Sequence, residues 1–394
     1  MKRMLFITST NLAANPRLVK ELSLAIDAGY DTTVVQFSVG NWSDGLTTAL
    51  QQRFQNTAFI SLSALRSPFF PWLWSSLLQK FYNSLPVSFL TTEMLSIVTG
   101  KRSWILLRFL KKVSQSYDWV IAHNPGAFYP AYVYSQRSGA KLGIDVEDYH
   151  PGETTFPKQQ QQMLRLMQLL LPKATYCSYA APLIAAEVQK NIPGMLNKQL
   201  VLLNGFLASE FIAPELQTGN RLKLVWFSQN IDSGRGLEEV IPAVNELHSL
   251  VELHLIGYLQ PQFAEMHLKN RNGIVLHDPM PQHELHTFLA TCDVGLATDV
   301  PVNKNRELAL TNKILAYAQA GLYILSFPVQ AQLDFLKTYQ LHYSIMNNSC
   351  AAIVPVLTSL NKDFINAAKA EQFTIGMQFD WKKLGRPLVE TWQQ

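Results

Sequence analysis

The chain has 394 residues, 48% of them apolar, and a formal net charge of +4. That length accommodates two domains with cores of their own, and that composition excludes an intrinsically disordered chain. The mild positive charge is too small to point to nucleic acid and suits anionic substrates or an anionic membrane surface.

Residues 4–8 form an apolar run that ends in the polar Ser9, Thr10 and Asn11. The run is too short for a signal peptide and is expected to be a first strand. Asn15-Pro16-Arg17 opens a helix, because proline suits an early helical position, and Leu18, Leu22, Ala25 and Ile26 give it an apolar face. Residues 32–37 read as the next strand. The result is a β-α-β unit whose polar loop sits at the carboxyl end of a strand, where open α/β sheets bind ligands. Arg17 is either a ligand contact or a solvated helix-start residue. No GxGxxG is present, so the nicotinamide fingerprint is missing.

Residues 57–62 suit a third strand. Residues 68–113 interleave aromatics and leucines with Lys80, Lys101, Arg102, Arg108, Lys111 and Lys112. Residues 104–113 carry Leu106, Leu107 and Leu110 at the spacing of a sheet-covering helix. Residues 69–81, with Trp72 and Trp74, read as an exposed surface for a membrane or an acceptor.

Residues 118–122 and 141–146 are strands that run into two polar clusters, His123-Asn124 and Glu147-Asp148-Tyr149-His150 with Glu153. In a parallel sheet both clusters lie on one rim. The acids and imidazoles fit a group that orients an acceptor or moves a proton, rather than a metal site. The simpler alternative is a capped loop with a solvated acidic edge. Further elements follow as a helix at 159–171, a strand at 175–179, a helix at 182–189 and a strand at 199–203. That last strand ends in Asn204-Gly205-Phe206, whose chemistry suggests a tight turn.

Gly219 and Asn220 read as a hinge, after which a second α/β series begins. Residues 222–228 are a strand, 229–236 a loop and 237–247 a helix. Arg235 stands at the helix start, where a guanidinium can hold a phosphate. Strands at 253–256, 274–276 and 294–297 follow, with a helix at 282–292. Residues 305–321 then place Asn312 and Lys313 before a helical run closed by Gly321, and the strand 322–327 comes next. A loop entering a helix presents free N–H groups to an anion, and Lys313 adds a cation. Together Arg235 and Lys313 would neutralise a diphosphate. Cys177, Cys292 and Cys350 are widely spaced, which suits a reduced, cytoplasmic chain with no zinc spacing. No uninterrupted apolar segment is long enough to span a bilayer. There is no internal repeat, and low complexity is confined to the glutamines at 159–162.

These pieces together resemble the family-4 retaining glycosyltransferases of the GT-B fold, over nearly the whole chain. VLLNGF resembles the family's domain junction, and GRGLEEVIPAV its helix start, with Arg235 in the place of a lysine. IVLHDPMPQHELHTFLATCDVGLA, TNKILAYAQAG, IDVEDYH and FDWKKLGRPLVETW resemble further family segments. Three positions depart from the pattern. Ala316 stands where a ribose-binding carboxylate is usual, Ser228-Gln229 replace Gly-Arg, and Glu307 lies one residue too far upstream to be the first glutamate of the family's spaced pair.

The resemblance implies an α/β protein of two Rossmann-like domains facing a central cleft. Residues 1–206 would bind the acceptor and 207–375 the nucleotide sugar, with a helix in 376–394 returning to the first domain. It implies transfer of a sugar from a nucleoside-diphosphate donor to a glycan or lipid-linked acceptor, with retention, as in polysaccharide biosynthesis. Asp148, His150 and His123 would be catalytic. Arg235, Lys313, Asn312, Asn204, Asn124, Arg17 and Glu307 would bind substrate. No cofactor, metal or nucleic acid is expected, and a cytoplasmic protein in peripheral contact with an anionic membrane is. Two rivals are an epimerase of nucleotide sugars and a nucleotide-sugar-binding protein without turnover.

Overall fold

The computed structural model describes residues 2–41, 43–216 and 218–394. The chain divides into two compact units. One comprises Met1–Leu202, Asn303–Asn305 and Gly385–Gln394; the other comprises Leu203–Val302 and Arg306–Leu384.

The first unit is built on seven strands: β1 (Arg3–Thr8), β2 (Asp31–Ser38), β3 (Ala58–Ser63), β4 (Trp119–His123), β5 (Lys141–Val146), β6 (Tyr176–Tyr179) and β7 (Lys198–Val201). Their order is β3-β2-β1-β4-β5-β6-β7, with every pair parallel. β1, β4 and β5 are buried almost throughout, as expected of parallel strands covered on both faces. The strand order reverses between β1 and β4, so the loops after these two strands flank a switch point.

The register aligns Thr8 with His123, His123 with Asp145, and Asp145 with Ser178. Aligned residues of parallel neighbours share a face, so one polar row crosses the carboxyl end of the sheet. The terminal helix Arg386–Gln393 belongs to this unit through Trp392. The Trp392 carbonyl accepts from Tyr30 Oη at 2.7 Å and from Trp119 Nε1 at 3.0 Å, and its indole donates to Tyr176 Oη at 3.1 Å.

The residues between β3 and β4 fold into three α-helices, Phe69–Ser84, Thr92–Thr99 and Arg102–Leu110, with a short 3-10 helix at Val87–Phe89. Leu106, Leu107 and Leu110 point inward, as their spacing requires.

The second unit holds β8 (Leu222–Ile231), β9 (Val251–Leu259), β10 (Ile274–His277), β11 (Val294–Ala297), β12 (Tyr323–Ser326) and β13 (Tyr343–Ile345). Their order is β10-β9-β8-β11-β12-β13, again all parallel, with the switch point between β8 and β11. β8 runs three residues past its expected end. Asn230 and Ile231 pair with Tyr258 and Leu259 beyond a register shift at Phe227–Asn230, where the sequence suggested a loop. The bulge lets a polar segment stay paired with β9.

Asn204-Gly205 is not a tight turn. Residues 202–207 form no turn, and Gly205 is required for a different reason: a Cβ there would lie 1.9 Å from the Phe379 carbonyl oxygen. Phe206 is fastened beside it, its N–H donating to Gln319 Oε1 at 2.8 Å and its carbonyl accepting from Gln319 Nε2 at 3.0 Å.

Candidate functional site

In the first unit the helix Pro16–Asp27 brings Arg17 and Glu21, one turn apart, onto the polar row. Arg17 Nε lies 2.8 Å from Asp145 Oδ1, and Arg17 Nη1 donates to the Leu202 carbonyl at 2.7 Å. Ser178 Oγ donates to Asp145 at 2.7 Å. His123 lies between two carboxylates, 3.3 Å from Glu21 and 3.4 Å from Asp145. These are ion-pair distances without well-aligned hydrogen bonds.

Arg17 and His123 are 0% and 1% exposed, so Arg17 is not the solvated helix-start residue and both side chains lie beneath the rim. A long cation near a helix start reads as solvated or ligand-facing only until a buried acid is found to receive it. Burial alone would lower the His123 pKa, but Glu21 and Asp145 raise it to about 9. Burial would raise Asp145, yet Arg17 and His123 hold it below the usual carboxylate range. Burial and Asp145 raise the Glu21 pKa, against His123 and Arg17; with His123 protonated and both carboxylates ionised the four side chains carry no net charge, which lowers the cost of burying them.

The rim above this cluster carries the remaining residues. Asn124 has φ of 68°, a left-handed value that asparagine tolerates better than most residues. Its Oδ1 accepts from Thr8 Oγ1 at 2.6 Å and from Asn15 Nδ2 at 3.3 Å, which ties the loops after β1 and β4 together. Asn305, from the short stretch that joins this unit, donates to Asp148 Oδ1 and accepts from the Tyr149 N–H, both at 2.8 Å.

His150 Nδ1 pairs with Glu153 at 3.0 Å, while its buried Nε2 has no partner among the described residues. His150 and Glu153 line a cavity of about 450 Å³ with Gln79, Lys80 and Asn83. Burial would lower the His150 pKa; Glu153, with Asp148 and Glu147 behind it, raises it. Burial, with Asp145 and Asp148 nearby, pushes Glu147 up to about 7. Burial also raises Asp148, against the hydrogen bond from Asn305.

In the second unit the loops after β8 and β11 touch. Gly234 and Gly236 have φ of 75° and 77°, and a Cβ on Gly236 would lie 2.3 Å from the Thr298 carbonyl oxygen. Thr298 Oγ1 donates to the Arg235 carbonyl at 2.9 Å. The half-buried Arg235 side chain thus stands at the start of the helix Leu237–Glu246 and makes no ion pair among the described residues.

Lys313, on the helix Asn312–Gln319, is buried. Its Nζ lies 3.0 and 3.3 Å from the two oxygens of Asp299 and 5.4 Å from the Trp226 ring centre. The cation that the sequence offered to an anion is therefore already paired with a carboxylate. Asn312 beside it is exposed, and Ala316 is fully buried. Asn204 is buried and Glu307 half-buried, each in the second unit but outside these two loops. No group of three or more His, Cys, Asp or Glu side chains among the described residues is placed to hold a metal ion.

Solved structures match this architecture over its full length. HepE of Anabaena in complex with UDP matches with a TM-score of 0.66 at 13% identity, covering 100% of both chains. A glycosyltransferase of Rickettsia africae matches at 0.68 and 12%, covering 100% of this chain and 98% of that one. A trehalose-6-phosphate synthase, studied for glycosyl transfer with retention, matches at 0.63 and 13%, with 99% of each chain covered. The fold is GT-B. No protein-family model and no curated protein matches the chain by sequence.

On the GT-B fold both polar groups lie where parallel sheets bind ligands, each at the switch point of its own sheet. Glu21, Ser178, Asp299 and the role of Asn305 emerge only in the structure. A signal existed for Glu21, an acid four residues after Arg17 on an otherwise apolar face. Asp299 was legible only as an acid just past the end of β11.

Proposed function

We propose that the protein is a glycosyltransferase that moves a sugar from a nucleoside-diphosphate donor to a glycan or lipid-linked acceptor, with retention at the anomeric carbon. The observation that carries this is the full-length likeness to a glycosyltransferase, to a trehalose-6-phosphate synthase and to HepE, which binds UDP and, in another structure, UDP-glucose. The second unit supplies the donor side. Arg235, with the N–H groups of the helix it precedes, receives the diphosphate, and Lys313, oriented by Asp299, adds charge beside it. As the bond to the sugar breaks, negative charge grows on the leaving diphosphate, and fixed cations lower the barrier there. The first unit supplies the acceptor side, with Asn124, Asp148 and His150 on its rim.

Arg17 and His123 act by positioning, since their charges fix Asp145 beneath that rim. A cytoplasmic place in polysaccharide biosynthesis, at the inner membrane face, fits this reading. A second reading, a nucleotide-sugar-binding protein without turnover, is favoured by Ala316, which is fully buried and offers ribose no carboxylate.

The test is a panel of nucleoside-diphosphate sugars, with calorimetry for binding and detection of released diphosphate. Slow donor hydrolysis is expected. Binding without release supports the second reading, interconversion of sugars supports an epimerase, and absence of binding overturns all three. Arg235→Ala is expected to weaken diphosphate binding roughly ten- to a hundred-fold, the loss of one charge-assisted hydrogen bond, and to leave the bare nucleoside unaffected.

A further inference from the structure

The helix Phe69–Ser84 has two faces of different chemistry. Phe70, Trp74, Leu77 and Phe81 recur at i, i+4, i+7 and i+11, so they form one stripe along the helix. They are exposed by 71, 54, 47 and 60% respectively, an unusual run of large apolar side chains in water. The inner face packs on the helices Thr92–Thr99 and Arg102–Leu110, through the buried Ser75 and through Gln79, which donates to the Val98 carbonyl at 3.1 Å. Gln79 and Asn83 lie about half a turn round from the stripe, and Lys80 about a quarter turn. These three line the His150 cavity. One helix therefore shows an apolar stripe to the outside and amide and ammonium groups to a polar pocket.

Charge identifies what the stripe meets. From residue 45 to residue 117 the sequence has one acid, Glu93, and eight basic residues: Arg53, Arg66, Lys80, Lys101, Arg102, Arg108, Lys111 and Lys112. Arg108, Lys111 and Lys112 are exposed, and Arg108 lines a shallow depression with Phe70, Trp74 and Trp104. An apolar stripe flanked by cations is the pattern of a helix lying in the interface of an anionic bilayer. No helix among the described residues is long and apolar enough to cross one.

The geometry points to a lipid as the acceptor: the helix Phe69–Ser84 rests on an anionic bilayer through its stripe, and the pocket behind it takes the lipid's polar headgroup. This rests on the glycosyltransferase reading and chooses among its acceptors. Asn83, Gln79 and Gln159 offer hydrogen bonds to hydroxyls, and Lys80, which has no ion pair among the described residues, offers one to a phosphate. His150, 6% exposed and with its buried Nε2 unpartnered, lines the same pocket.

The experiment is vesicle flotation of the full chain, with UDP calorimetry on the same preparations. The protein is expected to float with vesicles of phosphatidylglycerol and phosphatidylcholine and to stay behind with phosphatidylcholine alone. Phe70→Ser/Trp74→Ser/Phe81→Ser, at exposed positions, and Lys111→Gln/Lys112→Gln are each expected to weaken binding about tenfold or more at low salt. Phosphatidylinositol, a ring of hydroxyls on a phosphate, probes the pocket. At equal vesicle charge it is expected to bind severalfold more tightly than phosphatidylglycerol, and Gln79→Ala/Asn83→Ala is expected to cancel that preference. Binding to neither vesicle, or no loss in either surface variant, overturns the docking. Equal affinity for the two anionic lipids overturns the headgroup pocket. UDP binding retained while flotation fails overturns this inference alone, and flotation without UDP binding overturns the glycosyltransferase reading.

Discussion

Removing the Lys313 side chain tests both the packing and the chemistry of the second unit. Lys313→Ala leaves Asp299, 6% exposed, without the ammonium that lies 3.0 Å away. Truncating one partner of a buried ion pair costs about 3–5 kcal/mol, because the remaining charge stays desolvated. Both side chains keep roughly a tenth of their surface in water, so the lower figure, about 3 kcal/mol, applies here. In a unit of this size each kcal/mol moves the melting temperature by about 2–4 °C, which gives a drop of about 6–12 °C.

Lys313→Met/Asp299→Asn removes both charges while keeping the volumes. It is expected to recover most of that loss, since a buried pair is often replaceable by uncharged groups. Differential scanning calorimetry of wild type, Lys313→Met, Asp299→Asn and their double closes the cycle. UDP titration on the same four proteins then separates stability from binding: the double should be stable yet bind UDP roughly tenfold or more weakly. A single variant as stable as wild type, or a double no better than the single, would refute the assignment of this pair. A double with wild-type UDP affinity would remove Lys313 from the donor site.

His150→Ala is expected to lower turnover strongly while UDP affinity, read by calorimetry, stays unchanged; lost UDP affinity with turnover preserved would show that the residue serves the donor. Glu147 gives a pH signature. Its pKa stands at about 7 in the folded protein against 4.5 ordinarily, so the folded state binds the extra proton and stability falls as pH rises from about 4.5 through 7. Glu147→Gln should remove that slope and stabilise the protein above pH 7 by at most about 3 kcal/mol in urea titrations; a slope unchanged by the substitution contradicts the shift. Gly205→Ala should cost about 3 kcal/mol, the upper end for overpacking, since its Cβ would meet backbone, whereas Gly219→Ala, with nothing within 4 Å, should be silent; equal urea midpoints for the two would refute the close approach.

Much of the fold was legible because a parallel sheet buried on both faces writes itself as separate apolar runs. Residues 4–8, 118–122, 141–146 and 294–297 each became a strand within a residue or two. Helix starts were legible where local chemistry decides them, as at Asn15-Pro16, where the Asn15 side chain accepts from the Leu18 N–H. Interactions that join distant residues were not legible. Nothing near Arg17 in sequence announces Asp145, 128 positions on; their pairing follows from β4 and β5 lining up His123 with Asp145 beneath one helix. Lys313 had the same ambiguity, since a cation at a helix start looks solvated until β11 delivers Asp299 to it. Asn204-Gly205 had the composition of a turn, but the carbonyl of Phe379, far along the chain, is what requires the glycine. Hydrophobic spacing and capping are short-range and can be read along the chain, whereas the partners of buried charges and the crowding around a glycine exist only once the sheets have set their register.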